Sequence, residues 1–128
     1  MKELSGLGTD IIEVKRIERA VARHGPRFIN HLFTPNEITY CKRFSNPIPH
    51  FAGRFAAKEA VLKALGTGLT KELGWHDIEI LANPHGKPEV LLTPKLLKMY
   101  PAISFFLSIS HTETYATATA IAQKVKNT

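Results

Sequence analysis

Residues 49–68, PHFAGRFAAKEAVLKALGTG, read as the longest helix of the chain and decide how the rest of it can pack. At about 100° per residue, Phe51, Phe55, Val61, Leu62 and Leu65 form a bulky stripe. Ala52, Ala56, Ala57, Ala60 and Ala64 cover most of the remaining surface with small side chains. A helix that is apolar or small nearly all round is buried or closely packed, so a central helix from Pro49 to Leu65 is predicted, closed by Gly66 and Gly68. Four charges interrupt it. Arg54 and Lys58 project from within the bulky stripe, and Glu59 and Lys63 sit beside it. Glu59 and Lys63 could form a plain i,i+4 surface pair worth about 0.3–0.5 kcal/mol. Arg54 and Lys58 point instead to a ligand: burying charge without a partner costs several kcal/mol, and a bound phosphate would remove that cost.

The segments before this helix are mostly helical. Val14, Ile17 and Val21 fall on one side of a helix from Val14 to His24, stopped by Gly25-Pro26. Residues 27–46 read as one or two short helices, with Thr34-Pro35-Asn36-Glu37 resembling an N-terminal cap. Ahead of them, Leu4 to Ile12 reads as a strand weakened by Gly6, Gly8 and Asp10. The segments after the central helix are mostly extended. Trp75 to Leu81 and Pro88 to Leu92 read as two strands joined by a turn at Asn83-Pro84-His85-Gly86. Thr93 to Met99 reads as a short helix capped by Thr93. Ile103 to Ser110 and Tyr115 to Ala122 alternate and form a hairpin across His111-Thr112-Glu113-Thr114. Helices early and hairpins late predict an α+β fold, an antiparallel sheet packed with a long central helix and several short ones.

With 128 residues and neither repeat nor linker, one domain over residues 1–128 is expected. No apolar run approaches the roughly 20 residues that span a bilayer. Met1-Lys2-Glu3-Leu4-Ser5 lacks the apolar core of a secretory signal. Cys41, the single cysteine, has no partner for an internal disulfide. A cytoplasmic protein without a membrane partner is the expectation. A net charge of +6, from 17 Lys and Arg against 11 Asp and Glu, suggests an acidic partner. Interleaved surface aromatics and any nucleic-acid module are missing, so nucleic acid is not the expected one.

Three further features admit both a structural and a chemical reading. Asp10 is either a turn or edge residue or a carboxylate for a hard metal, which together with Glu59 would suit magnesium. Arg16, Arg19 and Arg23 line one side of the first helix, as a solvated face or as a docking site for an acidic helix. His111 shares the face of Phe105, Leu107 and Ile109 and falls where the strand ends, a position that favours sites.

Three segments, GLGTDIIEVKRIE at 6–18, AGRFAAKEAVLKALGTGL at 52–69 and LSISHTETYATATAIA at 107–122, resemble the holo-acyl-carrier-protein synthase family. Asn83-Pro84-His85-Gly86-Lys87-Pro88 is similar to a turn of that family, and the resemblance spans nearly the whole chain. It implies transfer of 4′-phosphopantetheine from coenzyme A to a serine of an apo-acyl carrier protein, in fatty-acid synthesis. It also implies a homotrimer with active sites between subunits. Carried over by position, Asp10 and Glu59 match magnesium ligands. Arg54, Lys58, Lys63, Gly66, Thr67, Gly86, Lys87, Pro88 and His111 match the coenzyme A site. Lys63, Glu59 and His111 would be catalytic, and Arg16, Arg19 and Arg23 would meet the carrier protein. The acceptor of the serine proton stays open between water on the metal, His111 and a carboxylate. Lys42 and Arg43 take no role in this reading. From the residues alone, a nucleic-acid module and a metal-dependent phosphohydrolase remain rivals.

Overall fold

Over residues 115–122, Tyr-Ala-Thr-Ala-Thr-Ala-Ile-Ala alternates perfectly, and Ala116, Ala118, Ala120 and Ala122 are all buried. They form the floor on which the central helix lies. The computed structural model describes residues 2–70 and 73–125. Its elements in chain order are β1 (Lys2–Glu13), α1 (Val14–His24), α2 (Pro26–Leu32), α3 (Pro35–Cys41) and α4 (Ile48–Leu65), followed by β2 (Ile78–Ala82), β3 (Pro88–Leu92), α5 (Pro94–Met99), β4 (Ile103–His111) and β5 (Tyr115–Val125). β1, β5 and β4 form a three-stranded antiparallel sheet in that order, and β2 and β3 form a separate hairpin. The α+β expectation holds.

The strand β1 is longer than its glycines suggested, and the glycines explain why α4 can lie so close. A β carbon at Gly6 would fall 1.7 Å from the Ala64 carbonyl oxygen, and one at Gly8 would fall 2.0 Å from that of Ala60. Backbone meets backbone at these points, with alanine on β5 completing the contact. Gly6 and Gly8 therefore mark a close approach between layers. Across the register, Asp10 stands opposite Ala118 and Ile12 opposite Ala116, so Asp10 shares the face that α4 covers. On β4 the same face carries Phe105, Leu107, Ile109 and His111, opposite Ala122, Ala120, Ala118 and Ala116.

α4 begins at Ile48 and ends at Gly66, whose φ of 77° is the left-handed cap that glycine adopts at least cost. Thr34 and Thr93 cap α3 and α5 as their spacing predicted, and Thr34 with Glu37 forms a full capping box. The same core continues through Phe33, Cys41, Val61, Ile78, Ile80 and Leu96, which join α3 and the β2–β3 hairpin to α4. The predicted strand from Trp75 is corrected here. Trp75–Asp77 is a turn of 3-10 helix, because the Asp77 carboxylate accepts from Gly74 N–H at 2.8 Å and from the Thr93 hydroxyl at 2.8 Å, curling the chain before β2 begins.

No layer among the described residues covers the opposite face of the three-stranded sheet. Leu7, Ile11, Phe106 and Tyr115 stand exposed there, Leu7 by 65%. No helix among the described residues is long and apolar enough to cross a membrane.

Candidate active site

The close contact of α4 with β1 sets Asp10, Glu59 and Lys63 together. Lys63 reaches over the strand, its Nζ donating to the Thr9 carbonyl at 2.9 Å and to Asp10 Oδ1 at 3.3 Å. Of the two readings open for Glu59 and Lys63, the i,i+4 surface pair is not the one seen: Lys63 binds across to β1 rather than back along its own helix. Glu59, one turn earlier and partly buried, is held above the usual carboxylate range. Burial is the largest cause, the neighbouring Asp10 charge adds to it, and Lys63 opposes both. Two crowded carboxylates offering only oxygen make a donor set suited to a hard divalent cation such as magnesium, which takes its other ligands from water and phosphate. No cluster of three or more His, Cys, Asp or Glu side chains exists among the described residues. The carboxylate pair would thus need ligand or solvent oxygens to complete a shell.

At the other end of α4, Arg54 and His111 come near one another through His50. The His50 ring stacks on Phe44 with centroids 3.5 Å apart and meets His111 edge-on at 5.2 Å. Arg54 is 6% exposed, its guanidinium 4.1 Å over the Tyr40 ring and its Nε without a hydrogen-bond partner. Arg43 approaches the same ring at 5.5 Å. Sequence reading missed His50 and left Arg43 without a role. The signal available was the i,i+4 spacing of His50 and Arg54 on a helix already singled out.

Lys58 requires a correction. The expectation of a cofactor contact rested on a buried charge lacking a partner, and the partner is Glu37, 2.7 Å away with both side chains fully buried. Lys58 Nζ also donates to the Leu32 and Trp75 carbonyls, each at 2.9 Å. Three acceptors use all three of its protons. Burial pulls the Lys58 pKa down and the Glu37 carboxylate pulls it back. Glu37 also accepts from Thr34 N–H at 2.8 Å and Ile80 N–H at 2.7 Å, so both its oxygens are engaged. Lys58 and Glu37 together tie α2, α3, α4, the 3-10 turn and β2, and Lys58 has nothing left for a phosphate.

The remaining predicted residues lie apart. Gly66 and Thr67 close α4 one turn beyond Lys63, the Thr67 N–H bonding the Leu62 carbonyl at 3.1 Å. Gly86, at φ 84°, Lys87 and Pro88 turn β2 into β3 around the Asn83 side chain, which accepts from Lys87 N–H at 3.0 Å. The Lys87 ammonium sits 5.8 Å from the centre of the Phe106 ring, on the sheet face away from α4. So one chain places Asp10, Glu59, Lys63, Arg54 and His111 on the α4 side and carries Lys87 to the opposite face. Arg16, Arg19 and Arg23 are exposed and line one shallow concavity of about 300 Å³ on α1.

Residues 6–120 match the model of the 4′-phosphopantetheinyl transferase superfamily. A holo-[acyl-carrier-protein] synthase of Chlamydia felis is 51% identical over 120 residues, covering 94% of this chain and 98% of the relative. The crystal structure of holo-[acyl-carrier-protein] synthase from Neisseria meningitidis is similar with a TM-score of 0.86 and 35% identity, over 94% of this chain and 98% of that one. The Helicobacter pylori holo-[acyl-carrier-protein] synthase in complex with coenzyme A is similar with a TM-score of 0.83 and 35% identity, over 91% and 98%.

Proposed function

Since the chain belongs to the 4′-phosphopantetheinyl transferase superfamily and transfers 4′-phosphopantetheine from coenzyme A to a serine of apo-acyl carrier protein, we propose that Asp10, Glu59 and Lys63 form its reaction centre. The observation that carries this reading is the Asp10–Lys63 contact beside a Glu59 carboxyl raised by burial. The charges gather where α4 and β1 touch, on rigid elements rather than loops. Asp10 and Glu59 would hold magnesium, which when bound would offset the charge of the pyrophosphate.

The chain's own groups divide the rest. Lys63 has a proton beyond its two protein acceptors, which can neutralise the phosphate of the departing adenosine 3′,5′-bisphosphate. Arg54 and His111 hold a phosphate of coenzyme A, and Gly66 and Thr67 let the cofactor pass close to backbone beyond Lys63. Among this chain's own groups, His111 or a carboxylate of the site would take the serine proton. Arg16, Arg19 and Arg23 meet the acidic helix of the carrier protein.

The active site lies between subunits in this reading. Lys87 of the Gly86–Pro88 turn is on the wrong side of the sheet to share a ligand with Lys63 of the same chain. A second copy docking through the exposed Leu7, Ile11 and Phe106 face would bring its own turn to the site and cover that apolar surface. The assembly we favour is the trimer implied by the family resemblance, one transferase domain per chain, working in the cytoplasm for fatty-acid synthesis.

The deciding experiment incubates the protein with magnesium, coenzyme A and an apo carrier protein and reads the carrier's mass. The carrier should gain one phosphopantetheine with the native protein and almost none with Glu59→Gln. Near-normal turnover by Glu59→Gln would refute the assigned metal pair. Light scattering should return the mass of three 14.3 kDa chains, and a stable monomer with full activity would remove the inter-subunit site.

A further inference from the structure

The start of α4 is unusually rich in cations and rings that have no carboxylate to answer them. Phe44 and His50 are parallel within 11° at 3.5 Å, and the His111 ring closes on the edge of His50 at 74°. One turn along, Arg54 is buried with its guanidinium over the Tyr40 ring. None of the ion pairs among the described residues involves His50, His111, Arg43 or Arg54. A cation–π contact offsets part of the cost of burying a guanidinium, but the unsatisfied Nε leaves a donor still to be met. The place is formed to receive an anion, with the protein supplying positive charge alone.

Within this cluster His50 differs from the arginines, because it can change its charge near neutral pH. Burial first, then His111 and then Arg54, push its pKa below the ordinary histidine value. The groups facing it are Arg54 from its own helix, His111 from β4, and Phe44 from the segment following α3. Behind Arg54, burial pushes the Cys41 thiol up to about 12, so Cys41 stays neutral and adds no opposing charge. An anion arriving among these groups opposes the repulsion from His111 and Arg54 and so favours the protonated ring.

We propose that His50 is a positioning residue whose protonation is coupled to the seating of a cofactor phosphate against Arg54 and His111. In the free enzyme its neutral ring is a spacer, clamped by Phe44 and holding His111 edge-on at the end of β4. With the phosphate in place it takes up a proton and becomes a further cation of the site. The sign of the linkage follows. Binding consumes protons, so affinity for the cofactor strengthens as pH falls toward 6 and weakens as it rises toward 8. This inference rests on the coenzyme A reading of the site.

The test is calorimetric titration of coenzyme A with magnesium into the full-length protein, in two buffers of different ionisation enthalpy, repeated from pH 6 to 8.5. Native protein should take up part of a proton on binding, with affinity falling up to about tenfold across that range, the size of a one-unit pKa change. His50→Phe preserves the ring stack but cannot titrate. It should bind with much less proton uptake and a flatter pH profile. The cofactor's own phosphomonoester titrates near pH 6, so the readout is the difference between native and variant. His50→Gln serves as the second variant should His50→Phe melt early. Identical proton uptake and pH slope in native and variant would overturn the role of His50. Tight binding of coenzyme A that is indifferent to both His50→Phe and Arg54→Met would instead overturn the placement of a phosphate in this cluster.

Discussion

α4 carries two lysines five residues apart, each with a carboxylate partner, and the two pairs have opposite characters. Lys58 and Glu37 are 2.7 Å apart with both side chains wholly buried, and every proton and lone pair that matters is taken by the protein. Lys63 and Asp10 are 3.3 Å apart, with the lysine side chain 53% exposed. The first pair is closed and holds the fold together. The second is open, with a free proton on the lysine and a second carboxylate, Glu59, crowding in. The difference teaches that charge on a helix becomes chemistry only where the protein leaves some of its hydrogen-bonding capacity unused.

Breaking the closed pair should have the largest effect. Glu37→Ala leaves an uncompensated buried ammonium and should cost about 3–5 kcal/mol of stability in urea denaturation. A loss below about 1 kcal/mol would mean that the buried pair does not hold the fold. Replacing both partners, Glu37→Leu with Lys58→Met, should recover only part of that loss. Thr34 N–H and Ile80 N–H would lose their acceptor, and the Leu32 and Trp75 carbonyls their donor.

The open pair should respond in turnover instead. Lys63→Ala should lower kcat by about 10²–10³-fold, as loss of one transition-state donor does. Its stability should change by no more than about 1 kcal/mol, since an exposed pair contributes little. A large drop in melting temperature with unchanged kcat would invert the comparison. Gly8→Ala probes what brings the open pair together. Its new β carbon meets the Ala60 carbonyl and must lift α4 from β1, costing about 1–3 kcal/mol and separating Lys63 from Asp10. Turnover should fall with stability, and full activity in Gly8→Ala would detach the site from the helix–strand contact. Arg16→Glu gives the smallest expected change. It should weaken carrier-protein binding by roughly 1 kcal/mol and flatten its salt dependence, with coenzyme A affinity unaltered. Equal loss for both ligands would rule out a docking role for α1.

Much of the fold was legible because its signals are local. The alternating alanines of β5, the threonine caps of α3 and α5 and the glycine after Leu65 each act within a few residues. The site was legible in part. Asp10, Glu59 and Lys63 were picked out by type and by resemblance; Lys63 reaches Asp10, and Glu59 lies close enough to feel both charges. Lys58 was misread because its partner lies 21 positions earlier in another helix, and no periodicity links the two. His50 was passed over because a histidine gains meaning from the rings around it, here Phe44 and His111, which come from a loop and a distant strand.

The sequence by itself determined the α+β class and the central buried helix, because hydrophobic period and capping residues are written along the chain, and its motifs carried the resemblance that implied the family and the reaction. Only the tertiary structure decided which charges are spent and which are free. Glycines at positions 6 and 8 let α4 settle onto β1, and that contact puts Lys63 against Asp10 while turning Lys58 inward to Glu37. Burial and hydrogen-bond saturation depend on what lies across space, and that is a property of packing.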